Sequence, residues 1–273
     1  MFVIIGAQRT GTNLLREVLN TNGAVAMLGE IFSPSAAPAH WDNYLRDHAI
    51  EVTAVATEAE LSALLDRYFD YVDHRVRGYW EGNRKRDASA IGVDIKYNQL
   101  GSLAPRNRAA GSSPFLLEYL RSRGAVIVHA VRENIIECAL SALIGAQRNV
   151  WHDYGDAEID RQYVVDPASC IAYARSIVLD RAAFLAWAGD APLVTARYED
   201  VARAVASTRP GDEVPIDPGP LADIARALGV PCTFSYDGRL RKALRLPFKV
   251  LIANYDELVR ALRASEFAGF SPA

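Results

Sequence analysis

Short unbroken apolar runs alternate along this chain with longer segments whose apolar residues recur every three or four positions. Val3, Ile4 and Ile5 form the first run, and residues 91–95, 125–131 and 193–196 repeat it. Runs rich in β-branched residues and lacking polar alternation belong to strands buried on both faces of a parallel sheet. Helical spacing fills the intervals. Leu14, Leu15, Val18 and Leu19 share one face of a helix opening at Thr12, as do Leu61, Leu64, Leu65, Tyr68, Phe69 and Val72 over residues 58–77. Further helices are expected at 114–123, 134–147, 167–187 and 221–228. Strands alternating with helices predict βαβ units, hence an α/β fold with a parallel β-sheet flanked by helices.

Residues 33–40, 101–113 and 208–220 are rich in Pro, Gly, Ser or Ala and read as loops. No composition shift marks a linker, so residues 1–273 are expected to form one domain with long functional loops. A net charge of −3 gives no support to nucleic-acid binding, which usually shows as a basic excess. Any anion site must therefore be a local concentration of cations. Cys138, Cys170 and Cys232 are widely spaced and show no metal-ligand pattern, so neither a disulfide framework nor a zinc site is expected. With no apolar run near the roughly 20 residues of a membrane span, and no signal-peptide pattern, the expected setting is reduced and cytoplasmic, without membrane insertion. Only four of the 30 basic residues are lysine, an arginine bias that fits a GC-rich bacterial genome.

The first run ends in a turn bracketed by Gly6 and Gly11 that opens a helix. Unpaired N–H groups and the helix dipole make such a turn a cradle for an anion. The spacing matches the start of a nucleoside-triphosphate P-loop, but Thr12 and Asn13 stand where that loop needs a lysine and a magnesium-holding hydroxyl. Here the cation is Arg9, inside the turn, with Thr10 and Thr12 as hydroxyls. A second strand, ending at Val131, leads through Arg132-Glu133-Asn134 into a helix carrying Ser141. Arg132 could offer a bidentate fork to a phosphate dianion and Ser141 a hydroxyl hydrogen bond.

Gln8-Arg9-Thr10-Gly11-Thr12-Asn13-Leu14 closely resembles the 5′-phosphosulfate loop of the sulfotransferases that use 3′-phosphoadenosine 5′-phosphosulfate (PAPS). Arg132 followed by Ser141 resembles the 3′-phosphate site of bacterial carbohydrate- and lipid-modifying members. The segments Ile91 to Leu100, ending its strand at Lys96, Tyr198-Glu199-Asp200, and Ile252 to Leu258 also resemble family segments. The resemblance implies a P-loop-like sulfotransferase fold, PAPS as co-substrate and no metal. On the nucleotide it places Arg9, Thr10, Gly11, Thr12, Asn13, Arg132 and Ser141. Lys242, with Arg239 and Arg241, falls in a loop that in relatives often folds over the 3′-phosphate.

The implied reaction is in-line transfer of a sulfuryl group to an acceptor hydroxyl. Arg9 and the N–H groups of residues 10–13 would stabilise charge on the leaving group. A hydroxyl acceptor also calls for a base. Cytosolic small-molecule sulfotransferases use a histidine after the lysine of the second strand block, but Tyr97 and Asn98 follow Lys96 here. Leu28-Gly29-Glu30-Ile31-Phe32 resembles the Gly-Glu-x-Phe segment of bacterial glycan sulfotransferases, whose glutamate is the base, making Glu30 the expected one. His40 and His152, beside aromatics in loops, are the alternatives. His129 is expected in the core, His48 and His74 on the surface, and Cys138 as core filling. The Arg84-Lys85-Arg86 stretch receives no role. Trp41, Tyr44, Trp80 and Trp151 suit a glycan, lipid or natural-product acceptor, and a homodimer is compatible with the family. Two other readings stand beside this one: an ATP-dependent P-loop kinase and a non-catalytic nucleotide-binding protein.

Overall fold

A computed structural model of the chain describes residues 1–33, 39–51, 57–79, 87–105, 108, 111–148, 162–206, 214–238, 240, 246–270 and 272. Five parallel strands form its centre: β1 (Phe2–Gly6), β2 (Val25–Glu30), β3 (Ala90–Lys96), β4 (Val126–Val131) and β5 (Leu193–Arg197). Their order across the sheet is β2-β3-β1-β4-β5. Central β1 pairs with both neighbours, Phe2 standing opposite Gly92 on one side and Val126 on the other. Every residue of β1 and β3 is buried, which is why their sequences show no polar alternation.

Ten helices accompany the sheet among the described residues: α1 (Thr12–Leu19), α2 (Trp41–Asp47), α3 (Glu58–Tyr79), α4 (Phe115–Ser122), α5 (Ile135–Arg148), α6 (Pro167–Ala188), α7 (Tyr198–Val205), α8 (Ala222–Leu228), α9 (Phe248–Leu251) and α10 (Tyr255–Arg263). Alternate strand residues feed two cores. Val3, Ile5, Val93, Ile95 and Ile127 pack with α2 to α6, α9 and α10, while Phe2, Ile4, Val25, Met27 and Val128 pack with α1, α7 and α8. A small antiparallel ribbon, β6 (Val214–Pro215) and β7 (Ser235–Tyr236), closes the second side.

The connection leaving β1 runs to one face of the sheet and that leaving β4 to the other. Such a divergence opens a crevice beyond the carboxyl ends of the two strands, where open α/β sheets bind ligands. Both candidate anion sites lie at this divergence, one on each side of it.

The expected strands and helices are present, with bounds shifted by a few residues. Val25–Glu30, a short apolar run in the sequence, is the edge strand β2, and the expected loop over 208–220 contains β6 and a 3₁₀ turn, Gly219–Leu221. Trp41 and Tyr44 correct an expectation. Rather than facing an acceptor, both are buried in an aromatic cluster around Tyr68, with ring centroids at 4.8 and 5.1 Å. The Tyr68 hydroxyl donates to the carbonyl of Ala39 at 2.8 Å, so the ring at the cluster's centre has its polar tip satisfied. Trp80, Trp151 and the Arg84-Lys85-Arg86 stretch lie outside the described residues.

Candidate active site

The turn between β1 and α1 is shaped by close backbone contacts. A Cβ on Gly6 would lie 2.7 Å from the carbonyl oxygen of Ala130 on β4. Gly11 has φ +85°, and a Cβ there would lie 2.3 Å from the Tyr198 ring, so the position requires glycine twice over. Thr10 closes the turn, its hydroxyl donating to the carbonyl of Ala7 at 2.8 Å. Gly11 caps α1 without a side-chain hydrogen bond, and the first turn of α1 holds no acidic residue. The positive end of the helix is thus left to a ligand.

Arg9 occupies the left-handed region at φ 68°, a conformation that non-glycine residues rarely adopt. Such strain is held by surrounding structure and clusters at functional sites. Its Nε donates to Ser141 Oγ at 2.9 Å, and its carbonyl oxygen accepts from Arg132 NH1 at 3.4 Å and from Cys138 Sγ at 3.6 Å. Burial first, and then the charge of Arg132, lower the pKa of Arg9 from the ordinary guanidinium value. Two cations held this close, partly out of water, favour an anion between them.

Arg132 is buried, its guanidinium stacked over the Tyr198 ring at 4.4 Å from the centroid. NH2 donates to Glu137, and Nε is buried without a hydrogen-bond partner among the described residues. Arg181 on α6 donates to the Arg132 carbonyl at 3.0 Å, tying the end of β4 to that helix. Opposite this group, β3 supplies a buried cation. Lys96 Nζ donates to Thr12 Oγ1 at 2.6 Å and to Asp94 Oδ2 at 2.7 Å, and it lies 3.6 Å from Glu30 Oε1. Asp94 and Lys96 are two residues apart on a strand, so both side chains leave on the same face. Gln99 braces the group, accepting from the Lys96 backbone N–H at 2.8 Å and donating to Glu30 Oε2 at 3.4 Å.

A protein-family profile described as Stf0 sulphotransferase matches residues 1–187. The chain belongs to the Stf0 sulfotransferase family. The matched span contains the turn, Glu30, Lys96, Arg132 and Ser141. A solved structure of a sulfotransferase from Alicyclobacillus acidocaldarius is similar over 96% of this chain and 94% of that one, at 16% identity and a TM-score of 0.45. No curated protein matches the chain.

Of the residues expected at the site, Arg9 meets both Ser141 and Arg132 directly, and Thr12 meets Glu30 through Lys96. Lys242, Arg239, Arg241 and His152 lie outside the described residues. His40 is engaged with the carbonyl of Ser33 at 2.7 Å, while His48 and His74 are exposed. His129 is in the core, its Nε2 2.5 Å from the Tyr97 hydroxyl. Cys138 is fully buried beside the turn, its thiol pushed up to about 11 by desolvation. Among the described residues no group of three or more His, Cys, Asp or Glu side chains is placed to hold a metal, and no helix is long and apolar enough to cross a membrane. Sequence reasoning missed Asp94, Glu137 and Arg181. The first has a readable signal, an acid two residues before a lysine in an otherwise apolar strand; Arg181 lies 49 residues from its partner and has none.

Proposed function

We propose that this Stf0-family chain transfers the sulfuryl group of PAPS to a hydroxyl of a glycan, lipid or natural product by in-line displacement. The observation that carries the reading is Arg9, held in a left-handed conformation inside the glycine-bracketed turn, bonded to Ser141 and adjoining Arg132. In this reading Arg9, Thr10, Gly11, Thr12 and Asn13 hold the 5′-phosphosulfate. Arg132 and Ser141 hold the 3′-phosphate, and Lys242 is a further nucleotide ligand. The donor set suits such a nucleotide: two guanidiniums and a helix N-terminus are complementary to a polyanion, and the Nε of Arg132, without an acceptor among the described residues, would find one in a phosphate oxygen.

The acceptor oxygen attacks sulfur as the bond from sulfur to the bridging oxygen breaks. The electron pair leaves on the 5′-phosphate, and the acceptor's proton passes to Glu30. Arg9 and the N–H groups opening α1 stabilise the charge that develops on the leaving oxygen. Lys96 joins the two halves, bonded to Thr12 on the donor side and 3.6 Å from Glu30 on the acceptor side. We read residues 1–273 as one cytoplasmic domain, its three described cysteines all free.

Thermal shift separates this reading from an ATP-dependent one. Adenosine 3′,5′-bisphosphate should stabilise the protein more than ADP with magnesium, since Thr12 stands where a kinase loop needs lysine; preference for ADP overturns the proposal. Sulfate transfer from PAPS across a broad hydroxyl-acceptor panel then separates an enzyme from a nucleotide-binding protein, which would bind the bisphosphate and transfer nothing.

A further inference from the structure

We infer that Glu137 is a place-holder: its carboxylate occupies part of the Arg132 fork until the nucleotide's 3′-phosphate displaces it, so Glu137 sets how tightly that phosphate is held. The inference rests on the reading of Arg132 as the 3′-phosphate ligand. Glu137 bonds Arg132 NH2, and the two side chains are 13% and 6% exposed. A phosphate that engages the fork with two parallel bonds needs NH2 together with a neighbouring nitrogen. Nε is buried and without a hydrogen-bond partner among the described residues, and NH1 makes a 3.4 Å contact to the Arg9 carbonyl. One half of the fork is thus ready, and the other half is held by a carboxylate of the same charge sign as the ligand.

Glu137 is not what aims Arg132. The guanidinium is stacked over Tyr198, and the residue's backbone carbonyl is held by Arg181. Nor is Glu137 fixed from behind: among the described residues, Arg132 is the hydrogen-bond partner of its carboxylate. Glu137 lies in the first turn of α5, where the helix dipole favours a carboxylate whether or not it touches Arg132. Releasing it toward solvent therefore costs less than releasing a carboxylate from a helix interior or C-terminus. The same residue regains Arg132 when the bisphosphate product leaves, so that no bare buried cation has to form on release. A nucleotide without a 3′-phosphate has no reason to disturb the pair.

Calorimetric titration of the full chain with adenosine 3′,5′-bisphosphate and with 5′-AMP tests this. Glu137→Gln should bind the bisphosphate about tenfold more tightly, as expected when a competing charge-assisted bond is removed, and bind 5′-AMP as the parent does. Weaker or unchanged bisphosphate binding, or equal tightening of both ligands, overturns the inference. Should Glu137→Gln fail to fold, Glu137→Asp retracts the carboxylate by one methylene and should tighten bisphosphate binding severalfold; no tightening overturns it equally. Arg132→Ala tests the underlying reading separately. It should abolish the parent's preference for bisphosphate over 5′-AMP, and a preference that survives sinks the assignment of Arg132 whatever Glu137 does.

Discussion

Arg9 and Ser141 lie 132 residues apart in sequence and share a hydrogen bond of 2.9 Å, Nε donating to Oγ. The bond spans the divergence between β1 and β4, so it fixes the cation of the first turn against the helix following the second. Ser141→Ala removes the acceptor while leaving the turn's own contacts, the Thr10 bond to Ala7 among them, in place. The variant should fold normally and lose about tenfold in kcat/KM for PAPS, one hydrogen bond to a charged group. Arg9→Lys should lose more, about a hundredfold, because an ammonium cannot hold Ser141 and face the nucleotide with a planar fork. Steady-state kinetics on both variants, beside their circular dichroism spectra, checks the order; an undiminished kcat/KM in Ser141→Ala would separate Ser141 from the proposed donor site.

Glu30 stands at the end of β2 with one oxygen 3.6 Å from Lys96 and the other 3.4 Å from Gln99. In the proposed role of base it should matter to the chemical step and little to donor binding. Glu30→Gln should lower kcat by about 10²–10⁴, the usual range for a positioned base, with affinity for adenosine 3′,5′-bisphosphate within a few-fold of the parent's. Single-turnover transfer together with a binding titration reads the two quantities separately. A matching loss in bisphosphate affinity would make Glu30 part of the donor site instead.

The donor side of this site was more legible in the sequence than the acceptor side, for physical reasons. Gly6, Arg9 and Gly11 fall within six consecutive residues, and a turn opening a helix writes its chemistry into such a short stretch. Arg132 and Ser141 were readable because a strand end followed by a helix repeats that grammar. Trp41 and Tyr44 misled because an aromatic ring serves equally as a pocket wall and as core. The position of Tyr68, on a helix more than 20 residues away, decides for core. Tyr198 was readable as part of a family segment, yet its contacts with Gly11 and Arg132 depend on how α7 lies across the turn. Asp94, Lys96 and Thr12 come from two non-consecutive elements, and no local pattern announces that a lysine in β3 will bond the first residue of α1.

His129 makes stability depend on pH. Burial first, and nearby Arg181 second, lower its pKa from 6.5 to about 4. Between those values the unfolded chain binds the proton and the folded chain does not, so stability rises with pH there. The His129 contribution is complete above about pH 6.5 and is lost as pH falls toward 4. The neutral ring shares a hydrogen bond with the Tyr97 hydroxyl at Nε2, and Tyr97 itself is pushed up to about 12 by burial. His129→Gln, able to make that same bond, should show a drop in unfolding free energy between pH 7 and pH 4.5 smaller than the parent's by roughly 2 to 3 kcal/mol. Urea titrations at the two pH values measure it, and parallel drops would refute the assignment.

Asp94 and Lys96 form an ion pair at 2.7 Å, each 2% exposed, at the point where the proposed donor and acceptor halves meet. Removing Lys96 leaves the Asp94 charge buried without compensation, removing Asp94 leaves Lys96 with the more distant Glu30 at 3.6 Å, and Asp94 Oδ1 already lacks a hydrogen-bond partner among the described residues. Asp94→Asn and Lys96→Met should therefore each destabilise the fold by about 3 kcal/mol, while the double variant costs far less than the sum. Activity should not follow stability. The double variant still lacks the ammonium that bonds Thr12 at 2.6 Å and adjoins Glu30, so it should fold nearly as well as the parent and remain as impaired in kcat as Lys96→Met alone. Denaturant midpoints and turnover numbers for the four proteins of this cycle decide the matter. If activity recovers together with stability, Lys96 is there to neutralise Asp94; if only stability recovers, Asp94 holds Lys96 in place between Thr12 and Glu30.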